Sequence, residues 1–288
     1  MVDVNISQMT VMSSFIADLL GSPRHFPGSA FGFQGTAGLE KYFLQSYLTM
    51  DQAKHDAVIA AFHEAKQPIS KIVGGLLVYD ATAKSTLKLG DFVEAINGHF
   101  VATTCQLATA LQGSGPFRAT VRRARLNPNT GALRFADPTE MALRTTSRHR
   151  LATYEGPACA AAPTTNVGLF SVSPAQLETT TPKVSFATKQ IGGPSAGFAM
   201  ALMLVDQLEH GRVLRGRSVA STGTINAQGD VGDVGGVPEK AVAVGRAGIH
   251  LFFVPESEVA AARATAPVSV EVVGVRSLAD AVAALKSP

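Results

Sequence analysis

The chain of 288 residues is 46% hydrophobic and 16% charged, with a formal net charge of +3. That balance describes a folded protein with room for two compact domains, argues against a disordered chain, and implies no obligatory acidic partner. No apolar run reaches the ~18 residues of a membrane-spanning helix, and no basic segment leads into a short apolar one. The chain as given is therefore expected to be soluble, with no visible anchor or signal peptide.

Residues 1–67 form an N-terminal segment. Its first 45 or so residues show little periodicity and include a stretch rich in Gly, Pro and Phe at 21–38. A helix near 50–66 follows. Thr49-Met50-Asp51-Gln52 has the form of a capping box, and Ala57, Val58, Ala61, Phe62 and Ala65 recur at helical spacing before Pro68.

Residues 68–126 read as a small β-rich module. Leu76-Leu77-Val78 is a short apolar strand, Leu87 to Asp91 a turn, and Phe92 to Ile96 a strand closed by Asn97-Gly98. Thr103-Thr104-Cys105-Gln106 opens a short helix with Leu107, Ala110 and Leu111 on one side. Phe117, Ala119 and Val121 alternate with polar residues as a closing strand. Arg118, Arg122, Arg123 and Arg125 suit the solvent face of that strand, and with no recognised nucleic-acid module beside them they do not predict nucleic-acid binding. Cys105 and Cys159 fit no metal-ligand spacing and no disulfide framework, so each reads as an isolated small apolar residue, with a single bridge left open. No other grouping predicts a metal or cofactor.

Residues 127–162, with Asn127-Pro128-Asn129, Asp137-Pro138 and Gly156-Pro157, read as connecting strands and loops. From 163 to 288 strand and helix patterns alternate: helix at 198–208, strand at 219–225, helix at 238–246, strand at 249–254, helix at 256–264, strand at 268–273 and helix at 278–285. The fold class is α/β (α+β).

Two helix mouths in this last region carry chemistry. Ser195 lies in Gly192-Gly193-Pro194-Ser195-Ala196-Gly197. Before an apolar helix a serine is an ordinary N-cap, but the same position suits a nucleophile. There the backbone N–H groups of Gly193, Ser195 and Ala196 and the helix dipole would hold an oxyanion. Lys240 lies in Gly235-Gly236-Val237-Pro238-Glu239-Lys240. A lysine in the first turn of a helix is disfavoured by the dipole, and that placement with burial suits a general base. The alternative is an exposed helix lysine. Thr222, on the strand between the two motifs, would aim the amine or be an ordinary strand threonine.

The order of elements at 68–126, with its Leu-Gly-Asp and Ile-Asn-Gly turns, resembles a PDZ domain, against the alternative of a generic small β-domain. The resemblance implies peptide binding by strand addition, with a carboxylate-binding loop near Val73-Gly74-Gly75. Ile191 to Gly197, Ser221 to Ile225, Val234 to Lys240 and Phe252-Phe253-Val254-Pro255 together resemble the Lon-type proteolytic domain of the serine–lysine peptidases. That resemblance implies Ser195 as nucleophile, Lys240 as base and Thr222 as the residue orienting it. Gly192 stands where many family members have an acidic residue, which leaves more of the activation to Lys240.

A PDZ-like module before a Lon-type domain resembles the PDZ-containing, ATPase-lacking branch of the family. The chain contains no G-x-x-x-x-G-K-[ST], and its length leaves no room for an ATPase beside these domains. The expected activity is ATP-independent cleavage of exposed or unfolded polypeptide. Resemblance further implies a homo-oligomer, often a six-membered ring, and a bacterial protein anchored at the membrane with its catalytic part outside the cytoplasm. Two other readings remain: an α/β-hydrolase-type esterase using Ser195 with Asp230 or Asp233 and then His250, or a non-catalytic peptide-binding adaptor. His250 lies in an apolar run, where a buried structural role is the plainer expectation.

Overall fold

A computed structural model describes residues 35–111, 116–126, 133–144, 165–166, 169–181, 183–186, 188 and 192–287. Helix α1 spans Gly35–Glu64. The expected start at Thr49 is corrected: the Thr49 hydroxyl donates to the Ser46 carbonyl at 2.8 Å, inside the helix, instead of capping it. Burial of Leu48 beside Met50 shows why the helix continues upstream, since both residues pack into cores.

Strand β1 (Lys71–Ala81), β2 (Phe92–Ile96), β3 (His99–Phe100), β4 (Phe117–Arg122), β7 (Thr139–Leu143), β8 (Thr165–Asn166) and β9 (Phe170–Thr179) form one antiparallel sheet in the order β7-β4-β2-β1-β9-β8. Strand β3 pairs with β2. Between β4 and β7, β5 (Ala124–Leu126) and β6 (Leu133–Phe135) make a separate hairpin. The short helix α2 (Thr104–Ala110) lies between β3 and β4, where Thr103 and Gln106 complete a capping box. Cys105 in this helix is disulfide-bonded, which corrects its reading as an isolated apolar residue. Cys159 lies outside the described residues.

Strand β9 is the main departure from the expected layout. It pairs with β1 from Lys71↔Thr179 to Ala81↔Phe170, so a segment expected in the C-terminal domain belongs to the β-rich sheet. The expected loop at Val73-Gly74-Gly75 is corrected by the same register: these residues lie inside β1, opposite Leu177, Gln176 and Ala175. Gly75 is explained by packing, because a Cβ there would stand 2.4 Å from the Phe92 ring.

Beyond residue 192 the chain builds layers around a parallel sheet of β10 (Val219–Ser221), β13 (Leu251–Pro255) and β14 (Glu271–Val275). On one face α3 (Gly197–Leu208), α6 (Leu278–Lys286) and α1 share a core with Phe253 and Val275. On the other, α4 (Val237–Arg246) and α5 (Val259–Arg263) pack on Ala220, Phe252 and Val254. The alternation of Phe252, Phe253 and Val254 between the two cores follows from the two-residue period of a strand. The expected strand at 219–225 is broken: β10 ends at Ser221, and Thr224–Ile225 (β11) pairs instead with Val231–Gly232 (β12). No helix among the described residues is long and apolar enough to cross a membrane.

Candidate active site

The turn before α3 is shaped by glycine and proline. Gly193 has φ of 84°, a conformation that favours glycine, and Pro194 opens the 3₁₀ turn Pro194–Ala196 that runs into α3. Ser195 is not a cap. The N-cap of the 3₁₀ turn is Gly193 and that of α3 is Ala196, and neither start has a side-chain cap hydrogen bond. The Ser195 side chain is thus not engaged in the ordinary task of a serine at a helix start, and the residue is partly exposed.

The break between β10 and β11 meets this turn. The Gly223 N–H donates to the Ser195 carbonyl at 3.1 Å, and the Phe198 N–H donates to the Gly223 carbonyl at 3.2 Å. The Thr222 hydroxyl donates to the same Ser195 carbonyl at 3.3 Å, and the residue is fully buried. The Thr222 N–H still donates to the Phe253 carbonyl of β13 at 3.1 Å, and from there the chain turns toward Ser195.

Lys240 comes from α4. Gly236, with φ of 71°, and Pro238 begin that helix, and the Lys240 N–H closes its first turn on the Gly236 carbonyl at 3.0 Å. The side chain points inward: Lys240 is only 3% exposed, and its Nζ donates to Thr222 Oγ1 at 3.1 Å. The exposed-lysine alternative is overturned. One hydroxyl therefore accepts from the lysine and donates to the backbone of Ser195, and the structure brings Ser195, Thr222 and Lys240 into one chain of contacts.

Around them lie residues that sequence reasoning missed. Glu258 accepts from the Val234 N–H at 3.2 Å on the approach to α4. Burial raises its carboxyl above the usual range, while the Val234 N–H and the Lys240 charge pull it down. The neighbouring Ser257 hydroxyl donates to Asp233. Gly193 is the other surprise: its N–H, expected among the oxyanion donors, donates to the Ser46 carbonyl of α1 at 2.8 Å. That corrects Gly193 and leaves Ser195 and Ala196, whose N–H groups stand in the first turn of a helix start. No signal in the sequence marks Ser46, because its contribution is a backbone carbonyl.

The esterase constellation is not assembled. His250 is exposed, which also corrects its buried reading, and its Nδ1 meets the Ser269 carbonyl at 3.0 Å. Asp230 is held by Asn226 at 2.8 Å, and Asp233 by Ser257. Among the described residues no group of His, Cys, Asp and Glu is arranged to hold a metal ion.

Residues 183–273 match the family model described as the Lon protease (S16) C-terminal proteolytic domain. The chain is 52% identical over 68 residues to Lon protease 1 of Herpetosiphon aurantiacus, covering 24% of this chain and 8% of that one. It is 45% identical over 65 residues to Lon protease 1 of Myxococcus xanthus, covering 23% and 8%. It is 47% identical over 64 residues to Lon protease of Geobacter metallireducens, covering 22% and 8%. The matched segment thus spans only 8% of the length of these relatives. A Lon-type proteolytic domain is present in the C-terminal part, and it supports a serine-type peptidase.

Proposed function

We propose that the chain is a serine endopeptidase working through a Ser195–Lys240 dyad, with Thr222 orienting the lysine. The observation that carries this is the buried contact from Lys240 Nζ to Thr222 Oγ1, one hydroxyl away from the Ser195 backbone. Ser195 Oγ attacks the scissile carbonyl carbon while its proton passes to Lys240 Nζ. The oxyanion formed lies against the N–H groups of Ser195 and Ala196. Collapse breaks the C–N bond, and Lys240 returns the proton to the leaving amine. Water then repeats the sequence on the acyl-enzyme and frees Ser195.

The substrates are exposed or unfolded polypeptide segments, cut without ATP. The β-rich sheet serves as a PDZ-like module that binds or regulates substrate, in the manner of the PDZ-containing, ATPase-lacking branch. A homo-oligomer and an extracytoplasmic, membrane-associated setting belong to the same reading. The test is digestion of casein by wild type, Ser195→Ala and Lys240→Ala, each with and without ATP. Expected are cleavage by wild type regardless of ATP and none by either variant. Retained cleavage by Lys240→Ala overturns the dyad, and dependence on ATP overturns the motor-free reading.

A further inference from the structure

We propose that α1 is a positioning element of the peptidase site, seating the turn that carries Ser195 and linking that seat to the β-rich sheet. The inference rests on the peptidase reading of Ser195. Two faces of one helix carry it.

The first face touches the nucleophile turn. The Ser46 carbonyl holds the Gly193 N–H at 2.8 Å. A Cβ on Gly192 would stand 2.7 Å from the Ser46 Cβ, and one on Gly197 would stand 3.4 Å from the Ala53 Cβ. The turn therefore rests on α1 at two places seven residues apart, which is one side of a helix. Gly192 is explained as much by this contact as by any need to admit substrate, whereas at Gly197 the Ile225 side chain stands closer still, at 2.9 Å. With Gly193 fixed by α1 and the Ser195 carbonyl fixed by Thr222 and Gly223, the nucleophile is clamped from both directions.

The second face touches the sheet. Lys41 pairs with Asp80 at 2.7 Å, Gln45 Nε2 donates to the Tyr79 carbonyl at 2.9 Å, and Leu48 shares a cluster with Leu77, Phe92 and Ala175. Gln52 Nε2 reaches the Gln176 carbonyl at 3.4 Å, and His55 binds Glu178 of β9 while Asp51 stands 3.5 Å from its other ring nitrogen. Residues 41, 45, 48, 52 and 55 follow a helical stripe, so one continuous side of α1 lies on β1 and β9. A helix is stiff along its axis, and a shift of the sheet is transmitted to Ser46. Small displacements suffice, because misplacing a reacting group by about 1 Å can cost roughly a hundredfold in rate.

The test uses the full chain and a short fluorogenic peptide, with thermal midpoints recorded for every variant. Gly192→Ala is expected to lower kcat by about tenfold or more with KM little changed. Adding Ser46→Gly removes the facing Cβ and is expected to restore kcat to within about threefold of Ser46→Gly alone. A double variant no better than Gly192→Ala overturns the seat. Glu178→Gln, made far from the peptide bond, is expected to lower kcat several-fold at a temperature where it is fully folded, and an unchanged kcat overturns the link to the sheet.

Amide hydrogen exchange at Gly193, measured in Ser195→Ala, reads the seat without any activity. Slow exchange that Glu178→Gln accelerates about tenfold is expected, the amount that ~1.4 kcal/mol of lost protection gives. Fast exchange in the parent, or no acceleration, overturns the proposal whatever the protease assay shows. Failure of wild type to cleave casein, by contrast, overturns the peptidase reading alone.

Discussion

The turn bearing Ser195 is held by two regions that work in different ways. From the C-terminal side, Thr222 and Lys240 act through side-chain chemistry: an amine, a hydroxyl and a carbonyl in sequence. From the N-terminal side, α1 acts through a backbone carbonyl and through the closeness of two small surfaces at Ser46 and Gly192. Chemistry of the first kind is tied to the functional group, so only a replacement that keeps the group is tolerated. Positioning of the second kind is tied to shape, so it is open to compensation by a change on the facing residue. The contrast predicts that variants in the two regions will differ in kind as well as in size.

The largest effect tests the chemical side. Ser195→Ala and Lys240→Met are each expected to remove at least about a thousandfold of peptidase activity, with the double variant no worse than either single one, since members of one catalytic unit are not additive. Additive losses, measured as kcat/KM on a peptide substrate, would mean that the two residues do not act as one unit. No substitution on the facing surfaces should rescue them.

The sheet side is expected to answer in stability first. Phe92 is fully buried, sits against Gly75, and meets the Phe135 ring edge-on at 5.8 Å between centroids. Phe92→Ala should cost about 3–5 kcal/mol in urea unfolding, through lost burial and the cavity it leaves. A loss below about 1 kcal/mol would show that Leu48, Leu77 and Ala175 collapse into the space.

Thr222 stands between the two kinds. Thr222→Val keeps the volume and removes the hydroxyl that joins Lys240 to the Ser195 carbonyl. It is expected to lower kcat by about 10–100-fold, corresponding to one lost buried hydrogen-bond partner, while Thr222→Ser retains most of the rate. A larger loss in Thr222→Ser than in Thr222→Val would assign Thr222 to packing.

These residues also show which parts of the molecule were legible in the sequence. Ser195 and Lys240 lie in short contiguous motifs, where Gly, Pro and a polar residue at a helix mouth point to a local geometry, whereas Thr222 stood out through the family resemblance and not through its own segment. The helices after residue 192 and strands β10, β13 and β14 were legible for a similar reason, but the break at Ser221 and the pairing of β11 with β12 were not. Strand β9 was not, because its partner β1 lies about a hundred residues upstream and Pro174 argues against a central strand. Pro174 nevertheless lies within the strand, opposite Leu76 of β1. Helix α1 was only half legible: residues 35–48 lack strong apolar periodicity, and Ser46 contributes an atom every residue has.

The junction of α1 with β9 carries a pH signature. Burial pushes His55 down, but hydrogen bonds and charges from Asp51 and Glu178 outweigh it and raise the imidazole from 6.5 to about 10. A pKa raised on folding stabilises fully below the unfolded value and is lost as pH climbs through the folded one. The thermal midpoint should therefore fall between pH 6.5 and about 10, and the gap between wild type and His55→Gln should close over that window. A gap that stays constant would show that His55 does not hold β9 through its charge. Asp56, raised by burial from 3.8 to about 6, works on the acid side: its ionisation destabilises as pH rises across that range, so Asp56→Asn should gain on wild type between pH 3.8 and about 6 and hold a constant lead above it.

The smallest effect separates arginines that share one strand pattern. Arg123 reaches Asp91 at 2.6 Å, where the carboxylate is nearly fully buried, also accepts the Lys88 N–H at 2.8 Å, and is raised by burial against the pull of those partners. Arg118 pairs with Glu140 at 3.3 Å with both side chains more than 60% exposed. Removing Arg123 strands a buried acid and should cost about 1–3 kcal/mol. Removing Arg118 should cost less than about 1 kcal/mol, a difference that added salt erases, because water already screens the pair. Equal costs in urea unfolding would mean that the stripe behaves as one solvated face, and that Asp91 does not need its partner.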